Sequence, residues 1–287
     1  MGMISTTTMS VTEAAVLGVV QGLSEFLPIS STAHLRVAPA VIGAMLNQSW
    51  PDPGAAFSAV IQLGSVIAVL AYFARDIMEI TKGFFASIAK KDYASRDVRL
   101  VAGIILGTIP ICVVGLLMKH VLEASNGPLR DLRVIGIASI VMGLVLLFAE
   151  RVGKRQKTME DVGAQDGVLV GIGQAFAIIP GCSRSGSSLT AALLLGMTRE
   201  DGARFSFLLG IPAILISGLV EIKNAIGDRV ENTTPLVVAL ILSTVVSYAA
   251  IWWMLRFLKS HSTMVFVIYR LIFGIGVIAL AAAGIIH

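Results

Sequence analysis

The chain has 287 residues, of which 56% are hydrophobic and 14% charged, with a mean hydropathy of +0.86 and a formal net charge of +4. These proportions exclude a soluble domain with a large core and indicate an all-α polytopic membrane protein. So small a positive surplus orients loops and is no nucleic-acid surface.

Residues 1–10 carry neither a basic n-region nor an apolar h-region, so no cleavable signal peptide is expected. Residues 11–27 are apolar but interrupted by Glu13, Gln21 and Glu25; Pro28 breaks the run, and Ser30, Ser31, Thr32 and His34 lead into a second short run, 37–46. Longer runs follow at 57–73, 100–118 and 134–149, then a charged linker, 151–166. Two half-length apolar runs, 167–179 and 191–197, flank Pro180-Gly-Cys-Ser183-Arg184-Ser185-Gly-Ser-Ser188-Leu-Thr190. The chain closes with 205–220, 236–255 and 264–286. Spanning helices need about 17 to 25 residues. The chain therefore reads as a single integral membrane domain over 1–287, with six transmembrane helices plus two re-entrant helical hairpins. Cys112 and Cys182 sit in an apolar run and in the Pro-Gly turn, a spacing that supports neither a disulfide nor a zinc site.

Loop charge agrees with that count. If both hairpins return to their own side, the segments 75–99, 151–157, 199–204 and 256–259 place fourteen Lys and Arg on one face. The other face holds six: Arg36, Lys119, Arg130, Arg133, Lys223 and Arg229. The first face is then cytoplasmic and both termini lie outside. The halves 11–150 and 167–287 also echo one another. Gly18-x-x-Gln21, Pro28 and Ser30-Ser31 match Gly171-x-x-Gln174, Pro180 and Ser183, while Phe57-Ser58 matches Phe205-Ser206. One hairpin plus three spans is an odd number of crossings, so the repeat would be inverted and the two tips would meet near the midplane.

Arg184 is the sharpest candidate, because a cation at the centre of an apolar segment costs about 2.5 to 3.5 kcal/mol on insertion scales and marks function by default. With the hydroxyls and first-turn N–H groups of Ser183, Ser185 and Ser188 it forms a place for a phosphate. The structural alternative is an Arg that closes a helix end or pairs with Glu25 for packing. Gln21 and Glu25 are one helical turn apart and share a face, and the carboxylate needs a cation, a proton or a metal as partner. Ser30, Ser31 and Thr32 after Pro28 could be a mere N-cap, but beside Glu25 and His34 they read as a site with His34 as base, acid or nucleophile. Arg270 is either a ligand for the substrate or a snorkelling interfacial Arg. Glu13 reads as a solvated first-turn acid, and Gln62 as an interhelical hydrogen-bonding group. One carboxylate, one His, several serines and one or two arginines make anion chemistry, suited to a phosphate carried on an apolar molecule.

Taken together, Val19-Val-Gln21-Gly-Leu-Ser-Glu25-Phe-Leu-Pro-Ile-Ser-Ser31-Thr-Ala-His34, Val60-Ile-Gln62-Leu-Gly-Ser65, Pro180-Gly-Cys-Ser183-Arg184-Ser185-Gly, Phe205-Ser-Phe-Leu-Leu and Ile268-Tyr-Arg270 resemble the undecaprenyl-diphosphate phosphatase family, also called bacitracin resistance protein. The resemblance runs from about residue 11 to the C-terminus. It implies hydrolysis of the C55 polyprenyl diphosphate to the monophosphate and phosphate, recycling the lipid carrier for cell-wall synthesis, in a bacterial inner-membrane protein whose site opens on the extracytoplasmic side. Carried over, the family's (Glu/Gln)-x-x-x-Glu motif falls on Gln21 and Glu25, its histidine on His34, its candidate serine nucleophile on Ser31, and its Pro-Gly-x-Ser-Arg-Ser motif on Pro180 to Ser185. Gln21 replaces the first acid of the pair, and the threonine of the last motif becomes Ser188, with Thr190 nearby. The expected scheme has Ser31 attacking while His34, oriented by Glu25, takes its proton, with Arg184 and a divalent cation (Mg or Ca) at Glu25 offsetting charge. His34 as nucleophile is the rival assignment, and a carrier or flippase of an anionic lipid the rival function. Expected partners are the polyprenyl diphosphate and membrane lipid, without nucleic acid; monomer and homodimer both stay open.

Overall fold

The computed structural model describes residues 9–47, 50, 54–118, 129, 131–225 and 233–286, with only the helical backbone at 54–56 and 219–225. Residues 1–8, Lys119, Arg130, Arg229 and the Lys223 side chain, which figure in the sequence reading, lie outside the described residues. Among the described residues eleven α-helices follow in order: α1 Val11–Phe26, α2 Ser31–Leu46, α3 Gly54–Tyr72, α4 Ala74–Ala89, α5 Arg96–Leu117, α6 Leu132–Val152, α7 Ala164–Ala175, α8 Arg184–Leu194, α9 Arg199–Ala225, α10 Thr233–Leu258 and α11 Met264–Ala282. Helices satisfy their backbone polar groups internally, which is what lipid demands of a spanning segment.

Five of these helices, α5, α6, α9, α10 and α11, are long and apolar enough to cross a membrane, and a sixth span arises if α3 and α4, bent by 63° at their junction, count as one. Each of the six expected spans falls on a helix, the one over 57–73 on α3. Outward-facing Ile105, Leu116, Ile137, Leu144, Val245, Ile272 and Ile275 are exposed, as a lipid-facing surface requires.

Helix α4 departs from expectation, since 75–99 reads as loop. Its charges hide an apolar row, Ile77, Ile80 and Phe84, at helical spacing; Ile77 and Ile80 lean on the core while Met78, Phe85 and Ile88 stay exposed. This is the pattern of a helix lying along an interface.

Close crossings hold the bundle together. In α5 and α7, Gly103 and Gly107 meet Gly167 and Gly171 so tightly that a Cβ on Gly167 or Gly171 would fall 2.0 Å from the carbonyl oxygen of Gly103 or Gly107. Gly18 and Gly22 also bring α1 close to α10, where a Cβ would fall 2.6 Å from the Ala239 carbonyl oxygen and 3.0 Å from that of Ser243. Both contacts use small residues four apart, the spacing that lets backbones approach in lipid. Gln62 donates from α3 to Ser217 of α9 at 3.2 Å, the interhelical bond expected of it. Glu13 closes a capping box with Ser10, accepting from its N–H at 2.7 Å.

One end of the bundle is a mesh of charges. Arg96 pairs with Glu160 (2.8 Å), Lys157 with Asp166 (2.6 Å) and Lys259 with Glu200 (3.1 Å), while Arg204 pairs with Asp76. Residue 157 also bridges to Met197, so the outer ends of α7 and α8 return to the same place. Glu150 near the end of α6 accepts from Arg199 (Nε, 2.9 Å) and from the Thr263 hydroxyl (2.8 Å), with Arg155 at 3.3 Å. These pairs gather the segments that the sequence reading assigned to the cation-rich face.

Candidate active site

Two helix starts meet inside the bundle. Ser30 caps α2 with φ 76°, and Ser183 caps α8 with φ 68°. Such conformations cost a non-glycine residue on the order of 1 to 3 kcal/mol and persist only where the surroundings impose them. At both tips the serine hydroxyl accepts from the third backbone N–H of its helix: Ala33 to Ser30 at 3.4 Å, Gly186 to Ser183 at 3.2 Å. The tips are also tied to each other. Gly181 N–H donates to Ser30 Oγ at 3.2 Å, and Ser185 Oγ donates to the Leu27 carbonyl at 2.9 Å.

Arg270 is the third tie. Fully buried, it donates to the carbonyls of Pro28 (2.9 Å), Gly181 (2.7 Å), Cys182 (3.1 Å) and Ser139 (3.2 Å). Burial at this depth is not that of a snorkelling Arg at the interface. Three of these bonds go to backbone oxygens of the two tips and the fourth to α6, so the residue is a clamp inside the fold. Tip carbonyls turned inward need such a donor, because an unpaired buried carbonyl costs about 1 to 3 kcal/mol.

Glu25, at the end of α1, is the point where the tips share chemistry. Its Oε1 is ion-paired with Arg184, whose side chain stays 16% exposed against 5% for the carboxylate. Its Oε2 accepts from Ser31 Oγ at 2.6 Å and from Gln21 Nε2 at 2.9 Å. Gln21 in turn reaches Ser65 Oγ at 3.3 Å. The carboxylate is thus held from both sides and presents one oxygen to a half-buried serine hydroxyl.

His34 lies elsewhere than the expected scheme puts it. Its Nδ1–H donates to the Ser30 carbonyl at 2.7 Å, leaving Nε2 to accept from Tyr269 OH at 2.6 Å. The ring stacks on Phe273 with centroids 4.3 Å apart. Ser31 therefore gives its proton bond to Glu25, and the imidazole faces α11. Residues 31 and 34 share a face of α2; it is the Ser30 carbonyl and Tyr269 OH that engage both ring nitrogens and leave neither for Ser31.

Among the other candidates, Ser183 caps its helix and lies 3.2 Å from Ser185 Oγ, which points into the tip contact. Of Ser188 and Thr190, either of which could face the site by sequence, Ser188 donates its hydroxyl to the Arg184 carbonyl at 2.7 Å. Thr190 does likewise to Gly186 at 2.6 Å. Both follow from helix geometry, since a Ser or Thr inside a helix readily bonds the carbonyl four residues back. Cys182 is buried and free. Sequence reasoning missed Tyr269 as the partner of His34, Ser65 as the partner of Gln21, and Gln174 and Ser206, two buried side chains close to Arg184. Gln174 and Ser206 carried a signal, their places in the internal echo of Gln21 and Ser58.

Among the described residues no group of three or more His, Cys, Asp or Glu is placed to hold a metal ion. Glu25 is the one carboxylate at the tips, and both its oxygens are already in use.

A family model described as Bacitracin resistance protein BacA matches residues 14–276. A protein of Gloeobacter violaceus named undecaprenyl-diphosphatase is 54% identical over 275 residues, covering 96% of this chain and 93% of the relative. Proteins of the same name from Trichormus variabilis and from Synechococcus sp. strain RCC307 are each 52% identical, covering 97% and 93% of this chain and 86% and 92% of their own lengths.

Proposed function

We infer the function from one fact: the chain belongs to the bacitracin resistance protein BacA family. It is a multi-pass membrane hydrolase, an undecaprenyl-diphosphatase that cleaves the C55 polyprenyl diphosphate to the monophosphate and inorganic phosphate. The observation that carries the mechanism is the 2.6 Å bond from Ser31 Oγ to Glu25 Oε2, on a carboxylate whose other oxygen is paired with Arg184.

In this mechanism the diphosphate head lies against the joined tips and the polyprenyl tail runs along the lipid-facing side. Ser31 Oγ attacks the terminal phosphorus, its proton passing to Glu25, and the polyprenyl monophosphate leaves. Arg184 turns from the carboxylate toward the phosphoryl oxygens as Glu25 is neutralised, so its charge is available where the transition state needs it. Water then clears the phosphoserine. His34 is a positioning residue here: it holds the Ser30 carbonyl, and so the start of α2, against Tyr269. A divalent cation would add a Lewis acid at the phosphates. With Glu25 already shared by Arg184, Gln21 and Ser31, it would enter with the diphosphate, whose oxygens would supply most of its ligands.

The positive-inside rule and the cation-rich end of the bundle support a site opening on the extracytoplasmic side, with each hairpin entering and leaving by one face. Phosphate release from C55 or farnesyl diphosphate by purified protein in detergent tests the reading. Hydrolysis that disappears in Ser31→Ala and Arg184→Ala is expected. A carrier would release no phosphate where there is no membrane to cross.

A further inference from the structure

The internal echo is broken at one place, and the break leaves polar groups without partners. Gln21 is satisfied by Glu25 and Ser65. Its counterpart in the second half, Gln174 at the end of α7, has Ile178 one turn on, and the place matching Ser65 is held by Ala213 when Phe57-Ser58 is set on Phe205-Ser206. Gln174 is fully buried, yet neither its Nε2 nor its Oε1 has a hydrogen-bond partner among the described residues. Ser206 Oγ on α9 is likewise buried and unpaired. Such groups are rare in folded proteins and ask for an explanation.

Their position supplies one. Ser206 and Gly210, one turn apart on α9, line a small cavity with Glu25, Arg184 and Ser185. A Cβ on Gly210 would lie 3.7 Å from Arg184 Nε and 3.9 Å from Gln174 Oε1, so the carboxamide and the guanidinium both border Gly210 at the edge of this cavity. The cavity leaves about 10 Å³ for the centre of a water-sized sphere, room for one water and too little for a phosphate. The donor and acceptor inventory agrees. A fully ionised phosphoryl group offers acceptors alone and would leave Gln174 Oε1 unmatched, whereas a water can donate to Oε1 and accept from Nε2 or from Ser206 Oγ.

We propose that the Gln174 carboxamide and the Ser206 hydroxyl seat the water that hydrolyses the phosphoserine, beside Glu25 and Arg184. The inference rests on the diphosphatase reading and specifies its second step. The water oxygen bonds to phosphorus, the bond from phosphorus to Ser31 Oγ breaks, Glu25 returns to Ser31 Oγ the proton it took in the first step, and the water's protons leave on the inorganic phosphate.

The test is rapid-quench kinetics on the full-length protein in detergent, using farnesyl diphosphate labelled on its terminal phosphate, for wild type, Gln174→Leu, Ser206→Ala and Ser206→Thr. In the first two variants the initial burst of farnesyl monophosphate should keep the wild-type rate while phosphate release slows roughly 10-fold to 100-fold and phosphoenzyme accumulates. Ser206→Thr, which keeps the hydroxyl, should restore release. Thermal unfolding should be no easier in Gln174→Leu, because the carboxamide has no hydrogen bond to other described residues to lose and is replaced by an apolar group of similar size. Phosphate release unchanged within twofold, or both products falling together, would overturn the proposal. A wild type inert on C55 and farnesyl diphosphates alike would instead remove the diphosphatase reading, and that result is read without any variant.

Discussion

Two carboxylates are buried in this chain to the same degree, and each is paired with an arginine from a distant segment. Glu150 and Glu25 have side chains 6% and 5% exposed, and their partners are Arg199 and Arg184. Burial and charge pairing therefore do not tell them apart. Saturation does. Glu150 is ringed by Arg199, Arg155 and both the N–H and hydroxyl of Thr263, which join α6 to the starts of α9 and α11. Glu25 keeps one oxygen for an amide and for the hydroxyl of Ser31, at the mouth of a cleft between two strained helix starts. One is a closed structural knot, and the other is a proton acceptor held ready.

That contrast can be broken most forcefully at the tips. Arg184→Ala and Ser31→Ala should each lower phosphate release by about 10³-fold or more, the scale seen when a transition-state arginine is lost in phosphoryl transfer. Both proteins should still insert and purify as folded species. At the other knot the signs reverse: Glu150→Ala should remove about 3 to 5 kcal/mol of stability, the cost of breaking a buried pair. Its folded fraction should hydrolyse the substrate at near the wild-type rate, which thermal unfolding in detergent followed by phosphate assays would check. If Glu150→Ala abolished turnover without loss of stability, the distinction by saturation would fail.

His34 sharpens the same comparison on a smaller scale. A general base is worth about 10²- to 10⁴-fold. As a positioning residue His34 should fall below that range when replaced by Ala, and Tyr269→Phe should reproduce part of the loss by removing the bond that orients the ring. The smallest expected change is at Gln62. Its bond to Ser217 is an ordinary interhelical one, and Gln62→Ala should cost about 0.6 kcal/mol and leave turnover untouched.

Much of the site was legible because its residues break a strong local rule. Arg184 among apolar neighbours, Glu25 one turn from Gln21, and Ser-Ser-Thr after a proline each stand out in a hydrophobic chain, and Glu25, Ser31 and Arg184 do converge. What stayed hidden was direction. Nothing in the order of residues says that His34 turns toward Tyr269, 235 positions away, or that Arg270 spends its donors on carbonyls of both tips. Side-chain orientation at a helix start depends on backbone angles, here positive φ at Ser30 and Ser183, that serine does not announce. Helix α4 was hidden for another reason: Arg75, Lys82, Lys90 and Lys91 dominate its segment, and the apolar row beneath them is only three residues long.

The most direct measurement is to trap the reaction with terminally labelled farnesyl diphosphate, digest the protein, and identify the residue that carries the label. Acid-stable phosphate on Ser31, absent from Ser31→Ala and scarce in Glu25→Gln, is the expected result. Acid-labile phosphate on His34, or rapid turnover by a Ser31→Ala protein, would contradict it.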